Sequence, residues 1–100
     1  MQLMYEIEYS FEALDDLYFF RKNEQQEVMD EIDTQLRHEP LVETRNRKQL
    51  RPNAVASWEL RIGRFRVFYN VDEEMRYVSI EAIGFKIGNE LFIRGERIEL

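Results

Sequence analysis

Residues 58–72, W-E-L-R-I-G-R-F-R-V-F-Y-N-V-D, decide the fold of this 100-residue chain because they carry the pattern of a β-hairpin. Apolar and polar side chains alternate on both sides of Gly63-Arg64, and this period of two is typical of strands that are buried on one face. Glycine at the first central position suits a two-residue type II′ turn, which sets the register of the two strands. The predicted apolar pairs are Trp58 with Tyr69, Leu60 with Val67, and Ile62 with Phe65.

The opposite face of the predicted hairpin places two like charges side by side. Arg61 lies directly across from Arg66 in this register, and such a pair destabilises a sheet unless an anion lies over it. The next strand is predicted over residues 76–84, in a register that sets Glu81 beside Arg66. One carboxylate neutralises only one of the two guanidinium groups, so we expect this solvent-exposed face to attract a further anion.

The N-terminal part of the chain predicts one strand and two helices. Residues 3–9 alternate between apolar and polar side chains, which indicates a half-buried strand. Ser10 supplies an N-cap hydroxyl for a first helix, and Asn23 caps a second helix that ends before Pro40. Two helices joined so closely form a hairpin, and we expect its apolar stripe to cover Trp58 and the rest of the apolar sheet face.

The remaining segments predict a loop and a short C-terminal strand. Residues 41–57 show no clear period and contain several chain breakers, so we predict an ordered loop between the helices and the hairpin. A strand over residues 90–94 follows the break at Gly88-Asn89, and residues 97–100 form a last segment. No repeat or domain boundary interrupts the sequence, which we interpret as a single domain of residues 1–100.

Composition and charge narrow the possible functions. The chain has no cysteine, which excludes a disulfide framework and a thiolate metal site. Its acidic N-terminus and the lack of a long apolar run argue against a signal peptide or a membrane span, so we expect a cytoplasmic protein without a membrane partner. The net charge is −6, which argues against a general nucleic-acid binder, yet eight basic and only three acidic residues lie from Arg37 to Arg66. This asymmetry predicts an anion-facing surface on an acidic body.

The sequence contains few of the residues that carry covalent or metal chemistry. It has no phosphate-binding glycine loop, metal-ligand spacing or nucleophile elbow, so we predict no metal and no cofactor. The one histidine, His38, lies near the predicted end of the second helix, where the helix dipole accounts for it. What remains is a set of arginine and lysine side chains, which suit the binding and polarisation of phosphate better than covalent catalysis.

Three segments give the chain a family resemblance. Leu50-Arg51, Leu60-Arg61 and R-F-R-V-F-Y at residues 64–69, together with the order of elements, resemble the RelE/ParE toxin superfamily of bacterial toxin–antitoxin systems over nearly the whole chain. The resemblance implies an α+β fold, a two-layer β-α-α-β-β-β-β domain whose antiparallel sheet carries a helical hairpin on one face. It also implies a cognate antitoxin as partner. RelE-like members cut messenger RNA in the ribosomal A site without metal, and ParE-like members poison DNA gyrase.

The resemblance also implies roles for the basic residues. Arg66 matches the family's arginine of the second hairpin strand and is expected to be catalytic together with Arg61 and Lys48. The expected RNA- and phosphate-binding residues are Arg45, Arg47, Arg51, Arg64 and Lys86. The chain departs from RelE at Ser57, Glu59, Gly88 and Phe92, where RelE carries lysines, an arginine and a tyrosine.

Because of these departures, neither the general base nor the general acid is assigned. Three functions are open at this point: a ribosome-dependent mRNA endonuclease, a DNA gyrase inhibitor, and a catalytically inert module that binds the antitoxin.

Overall fold

The computed structural model describes residues 4–100, which form two helices and one seven-stranded sheet. The elements are β1 (Glu6–Tyr9), α1 (Phe11–Tyr18), α2 (Lys22–Leu36), β2 (Arg47–Gln49), β3 (Trp58–Ile62), β4 (Phe65–Asp72), β5 (Tyr77–Ile87), β6 (Glu90–Ile93) and β7 (Glu96–Ile98). This is the predicted α+β class, although Leu3 of the predicted first strand lies outside the described residues. No helix within residues 4–100 is long and apolar enough to cross a membrane.

The strands follow the order β2-β3-β4-β5-β6-β7, and each of these neighbours is antiparallel, as predicted. The exception is β1, which runs parallel to β5 along residues 77–80. Since β6 pairs with residues 85–87 and β4 occupies the other side, β1 and β6 share one edge of β5 in succession. The prediction of a loop over residues 41–57 is wrong at β2, a three-residue strand that pairs with β3 at the end of the sheet.

The β3–β4 hairpin has the predicted register. Trp58 faces Tyr69, and Arg61 faces Arg66. Gly63 adopts a φ of +55°, whereas Arg64 is not among the described residues with positive φ, which is the combination that a type II′ turn requires. The turn therefore aligns the apolar side chains of both strands on one face.

The predicted register of the next strand pair is wrong because the turn lies one residue later than expected. The turn comprises residues 73–76, and Arg76 adopts the left-handed region with a φ of +58°. The Asp72 carboxylate accepts a hydrogen bond from the Met75 backbone N–H at 2.9 Å, which stabilises this turn. Moving a turn by one residue changes the cross-strand pairing by two.

A β-bulge between Phe68 and Tyr69 shifts the pairing further. As a result, Arg66 faces Gly84 and not Glu81, which lies at the bulge. The acid expected beside Arg66 is therefore displaced along β5.

The two helices cover one face of the sheet and build the main core with it. Trp58 is buried in this core, as predicted, and stacks on Tyr69 with ring centroids 6.0 Å apart. The Tyr69 hydroxyl donates a hydrogen bond to the Pro40 carbonyl oxygen at 2.7 Å. The helices contribute the buried side chains Ala13, Leu17, Val28, Ile32 and Leu36.

The helix N-termini agree with the sequence at one of two positions. Ser10 caps α1, since its hydroxyl accepts a hydrogen bond from the Ala13 N–H at 3.0 Å. The predicted cap at Asn23 is wrong, because α2 begins at Lys22 and the Glu24 carboxylate accepts the Arg21 N–H at 3.1 Å.

A second, smaller apolar cluster lies on the sheet face away from the helices. This face was expected to be polar, but Phe68 is fully buried on it. The cluster consists of Ala56, Phe68, Ala82, Leu91 and Ile93, with Leu50, Val55 and Ile98 packed around it. Residues from both ends of the sheet thus meet over its middle and shape a concave surface.

Candidate functional site

A cleft of about 440 Å³ opens on the sheet face away from the helices. Lys48 and Glu59, which are cross-strand partners of β2 and β3, line one side of it. Lys86 and Leu91, which are partners of β5 and β6, line the other side. Within residues 4–100, no group of three or more acidic or histidine side chains is placed to hold a metal ion.

Arg66 is a buried cation that does not itself line this cleft but lies beside Glu59, which does. Its side chain is 9% exposed, and its Nη1 donates hydrogen bonds to the carbonyl oxygens of Gly63 at 2.7 Å and Phe65 at 2.9 Å. Its Nε lies 3.7 Å from Oε1 of Glu59, whose side chain is 13% exposed. Burial, reinforced by the like charge of Arg61, lowers the pKa of Arg66, and the charge of Glu59 acts in the opposite direction. The guanidinium group is thus held in one orientation.

The prediction that Arg66 is exposed to solvent is therefore wrong, because its side chain is buried. Arg61 is exposed, as predicted. Arg66 is buried because the carbonyl groups of the hairpin turn and the carboxylate of Glu59 surround it. Glu81 is not its neighbour, and the Glu81 backbone carbonyl instead accepts a hydrogen bond from the Ser10 hydroxyl at 3.1 Å. The arginine pair shares one sheet face, but its acidic partner is Glu59.

The predicted lysines converge on the same cleft. Lys48 is exposed on β2, and Lys86 is half-buried on β5 at the opposite side. Arg51 borders a smaller cavity of about 120 Å³ that also contacts Lys48, so that it lies at the margin of the cleft. Arg45 is exposed in the loop before β2. The cleft therefore brings together both predicted lysines, with Arg66 buried behind Glu59.

Two of the predicted phosphate-binding residues point elsewhere. Arg47 is buried on the helix side, where its Nη1 donates to the Gln35 carbonyl at 2.6 Å and its Nε to the Val42 carbonyl at 3.0 Å. Arg64 forms an ion pair with Glu24 of α2 at 3.1 Å. Arg47 ties the loop to α2 and Arg64 ties the turn to it, so we remove both from the phosphate-binding set.

The sequence assigned no role to Glu59, nor to Glu90, Arg97 and Glu99, the other charged residues that line this cleft besides the two lysines. The strand alternation placed Glu59 on the same face as Arg61 and Arg66, and this signal was sufficient to connect it with them. Phe92, another departure from RelE, stacks on Phe85 with centroids 5.8 Å apart and does not line the cleft.

A second concave surface, the aromatic groove, lies between the end of α1 and strands β5 and β6. It has a volume of about 590 Å³ and contains Asp16, which is almost fully buried. The Asp16 carboxylate accepts the Ile83 N–H at 2.9 Å and pairs with Nε of Arg94 at 3.1 Å. Burial raises the pKa of Asp16, while these two partners act in the opposite direction. The side chains that line the groove include Phe19, Phe20, Phe85 and Phe92.

Comparison with known proteins identifies the fold. Neither a protein-family model nor a curated protein matches the sequence. The structure matches a chain in the crystal structure of the toxin–antitoxin complex RelBE2 from Mycobacterium tuberculosis, with a TM-score of 0.74 and 24% sequence identity. The match covers 86% of this chain and 95% of that one. The chain therefore has the RelE-like α+β fold that the sequence resemblance implies.

Proposed function

We propose that this protein is the toxin of a type II toxin–antitoxin system and that it cuts ribosome-bound messenger RNA. The toxin role is supported by the fold shared with a chain of a toxin–antitoxin complex. The endonuclease role is carried by one observation, the cleft that Lys48, Glu59 and Lys86 line in front of the buried Arg66.

The chemistry of metal-independent RNA cleavage explains why this cleft suits the reaction. A ribose 2′-hydroxyl attacks the adjacent phosphorus, so that negative charge builds up on the phosphate oxygens. Cationic donors that are already in place stabilise this charge without reorganisation, and Arg66 is held by two carbonyl groups. Lys48 and Lys86 are more exposed and supply charge for the RNA backbone.

The charge distribution supports a substrate that is presented by the ribosome. The whole chain has a net charge of −6, which opposes the approach of free RNA to the surface outside the cleft. The cations that face the cleft act only at short range, since salt screens exposed charges beyond about 8–10 Å. We therefore expect weak binding of free RNA and efficient cleavage of mRNA that a ribosome holds in place in the cytoplasm.

The same cleft is the proposed site of the antitoxin. An acidic or helical segment laid over Arg61 and the two lysines relieves their mutual repulsion and excludes RNA from the cleft. The antitoxin thereby inhibits the toxin by occupying the substrate site.

A cleavage assay with programmed ribosomes tests this function. The purified protein is incubated with ribosomes on a defined mRNA in the presence of EDTA, and the new RNA ends are mapped. We expect cuts in the A-site codon and slower cutting by Lys48→Ala and Lys86→Ala. Cleavage by these two variants should also depend less on salt concentration than cleavage by the wild type, because each lysine contact to the RNA backbone adds to the salt dependence. Lys22→Ala, an exposed lysine of α2 away from the cleft, is the matched control and should cut like the wild type.

The absence of ribosome-dependent cuts contradicts the endonuclease role. If gyrase-dependent DNA breaks appear instead, the protein is a gyrase inhibitor. If neither reaction occurs but an antitoxin binds, the protein is an inert binding module.

A further inference from the structure

We propose that Glu59 is the general base of the cleavage reaction, an assignment that rests on the proposed endonuclease function. Its carboxylate lies in the cleft, with Lys48 as its cross-strand partner and Arg66 next to it. RNA cleavage needs a group that removes the proton of the attacking 2′-hydroxyl. The positively charged side chains of the cleft cannot accept this proton, so another group must do so.

The choice follows from which side chains of the cleft can accept a proton. Ammonium and guanidinium groups have no acceptor lone pair. Histidine, tyrosine and aspartate do not occur among the described residues that line the cleft. Its other carboxylates, Glu90 and Glu99, pair with Arg97 and are 54% and 85% exposed. Glu59 is the carboxylate that lies on the β3 side of the cleft, next to the buried guanidinium.

Arg66 acts as a positioning residue for this carboxylate as well as a charge next to the phosphate. The separation of 3.7 Å between its Nε and Oε1 of Glu59 is longer than a hydrogen bond, and Nε has no hydrogen-bond partner. The ion pair thus orients the carboxylate while its lone pairs stay available to the ribose hydroxyl.

The geometry of the cleft also assigns the general acid. In an in-line displacement the attacking and leaving oxygens lie on opposite sides of the phosphorus. Lys48 lies on the same side of the cleft as Glu59, whereas Lys86 lies across from it. Lys86 is therefore the group that protonates the leaving oxygen, and Lys48 contacts a non-bridging phosphate oxygen.

With these roles, two proton transfers accompany the exchange of one phosphorus–oxygen bond for another. The carboxylate of Glu59 takes the proton of the 2′-hydroxyl while the 2′-oxygen forms a bond to phosphorus. The bond from phosphorus to the 5′-oxygen breaks, and that oxygen takes a proton from the ammonium group of Lys86. The products are a 2′,3′-cyclic phosphate and a 5′-hydroxyl end, and both side chains return to their starting states by exchanging a proton with water.

Single-turnover cleavage of ribosome-bound mRNA by Glu59→Gln tests the proposal. The amide keeps the shape of the side chain but does not accept the proton, so the rate should fall by about 10²- to 10⁴-fold. Affinity for an mRNA with a 2′-deoxy nucleotide at the cleavage position should be equal or higher, because a negative charge has been removed. Glu90→Gln is the matched control, since it removes an exposed carboxylate at the rim of the cleft, and it should cut like the wild type.

A pH profile separates a base from a merely structural carboxylate. The wild-type rate should fall toward acidic pH as the base is protonated, and this limb should be absent from the residual activity of Glu59→Gln. Glu59→Asp keeps the negative charge next to Arg66 on a side chain shorter by one methylene, so it should fold and retain both partial activity and the acidic limb. This variant keeps the test decisive if Glu59→Gln is poorly folded.

Two results overturn the assignment. If the wild type cuts RNA and Glu59→Gln cuts as fast or faster, the carboxylate only neutralises Arg66, and the endonuclease function stands without this base. If the wild type makes no cut at all, the endonuclease function fails, and the role of Glu59 fails with it.

Discussion

The two faces of the sheet are built from alternate residues of the same strands and serve different purposes. On β3, Trp58 and Leu60 face the helices and are buried, whereas Glu59 and Arg61 face the other side. On β4, Tyr69 belongs to the main core, whereas Phe68 of the small apolar cluster and the buried Arg66 face the other side. One face is closed by helices and stabilises the fold, and the other leaves a charged cleft open. Substitutions on the two faces should therefore change different quantities.

The largest effect on stability is expected from Trp58→Ala. This change removes a large buried side chain that stacks on Tyr69, so the free energy of unfolding should fall by about 3–5 kcal/mol. Urea denaturation followed by circular dichroism measures the change. Arg61→Ala, on the open face of the same strand, is the control and should stay within about 0.5 kcal/mol of the wild type. A Trp58→Ala protein that melts like the wild type would identify Trp58 as a residue for base stacking or partner binding.

The next largest effect is expected on the cleavage activity, from a substitution of Arg66 on the open face. Arg66→Ala removes a preorganised donor, so the cleavage rate should fall by about 10²- to 10³-fold, far more than the fall in folding stability accounts for. Arg66→Lys keeps a charge but loses the planar fork, and we expect it to recover only part of the rate. Transcript-end mapping in growing cells provides the measurement. Unchanged growth inhibition and unchanged cleavage would show that the open face does not act on RNA.

A smaller loss of stability is expected from Gly84→Ala, a substitution on β5. Gly84 faces Arg66 and is closely approached by β6, so that an added Cβ would clash with the Phe92 carbonyl oxygen and lie 2.9 Å from Cγ1 of Ile93. Backbone atoms cannot rotate away, and we expect a loss of about 1–3 kcal/mol in urea denaturation. A neutral substitution would mean that β6 is free to move away from β5.

The smallest effect is a dependence of stability on pH that comes from Asp16. Burial raises the pKa of Asp16 above its ordinary value of 3.8, so the folded state holds this proton at a pH where the unfolded chain has released it. The resulting stabilisation is complete below about pH 3.8 and is lost as the pH rises through the raised pKa. The free energy of unfolding of the wild type, relative to Asp16→Asn, should therefore decrease over that window. Parallel pH curves for the two proteins would contradict this.

The sequence predicted the closed face better than the open one. The hairpin register followed from apolar alternation and one glycine turn, because a slip by one residue would move Trp58 and Tyr69 out of the core. The β4–β5 register did not follow, since it depends on a bulge and on Arg76, a non-glycine residue in the left-handed region. Neither feature has a sequence signal as strong as Gly63 in the hairpin turn.

The candidate site was predicted in its charges but only partly in their positions. Lys48 and Lys86 reach the cleft, whereas Arg47 and Arg64 turn to the helix side. A basic cluster in a segment without periodicity does not reveal which side of the sheet each residue takes. The three-residue β2 likewise escaped detection, because a short edge strand needs no alternating apolar side chains.

The parallel pairing of β1 with β5 has a consequence for the order in which the chain folds. Glu6 meets Tyr77 across 71 positions of sequence, whereas the β3–β4 hairpin closes over a two-residue turn. Closing the longer loop costs more chain entropy, so the C-terminal strands should assemble first and β1 should dock late. During synthesis, β1 leaves the ribosome before β5 and therefore has no pairing partner until the residues between them have been made.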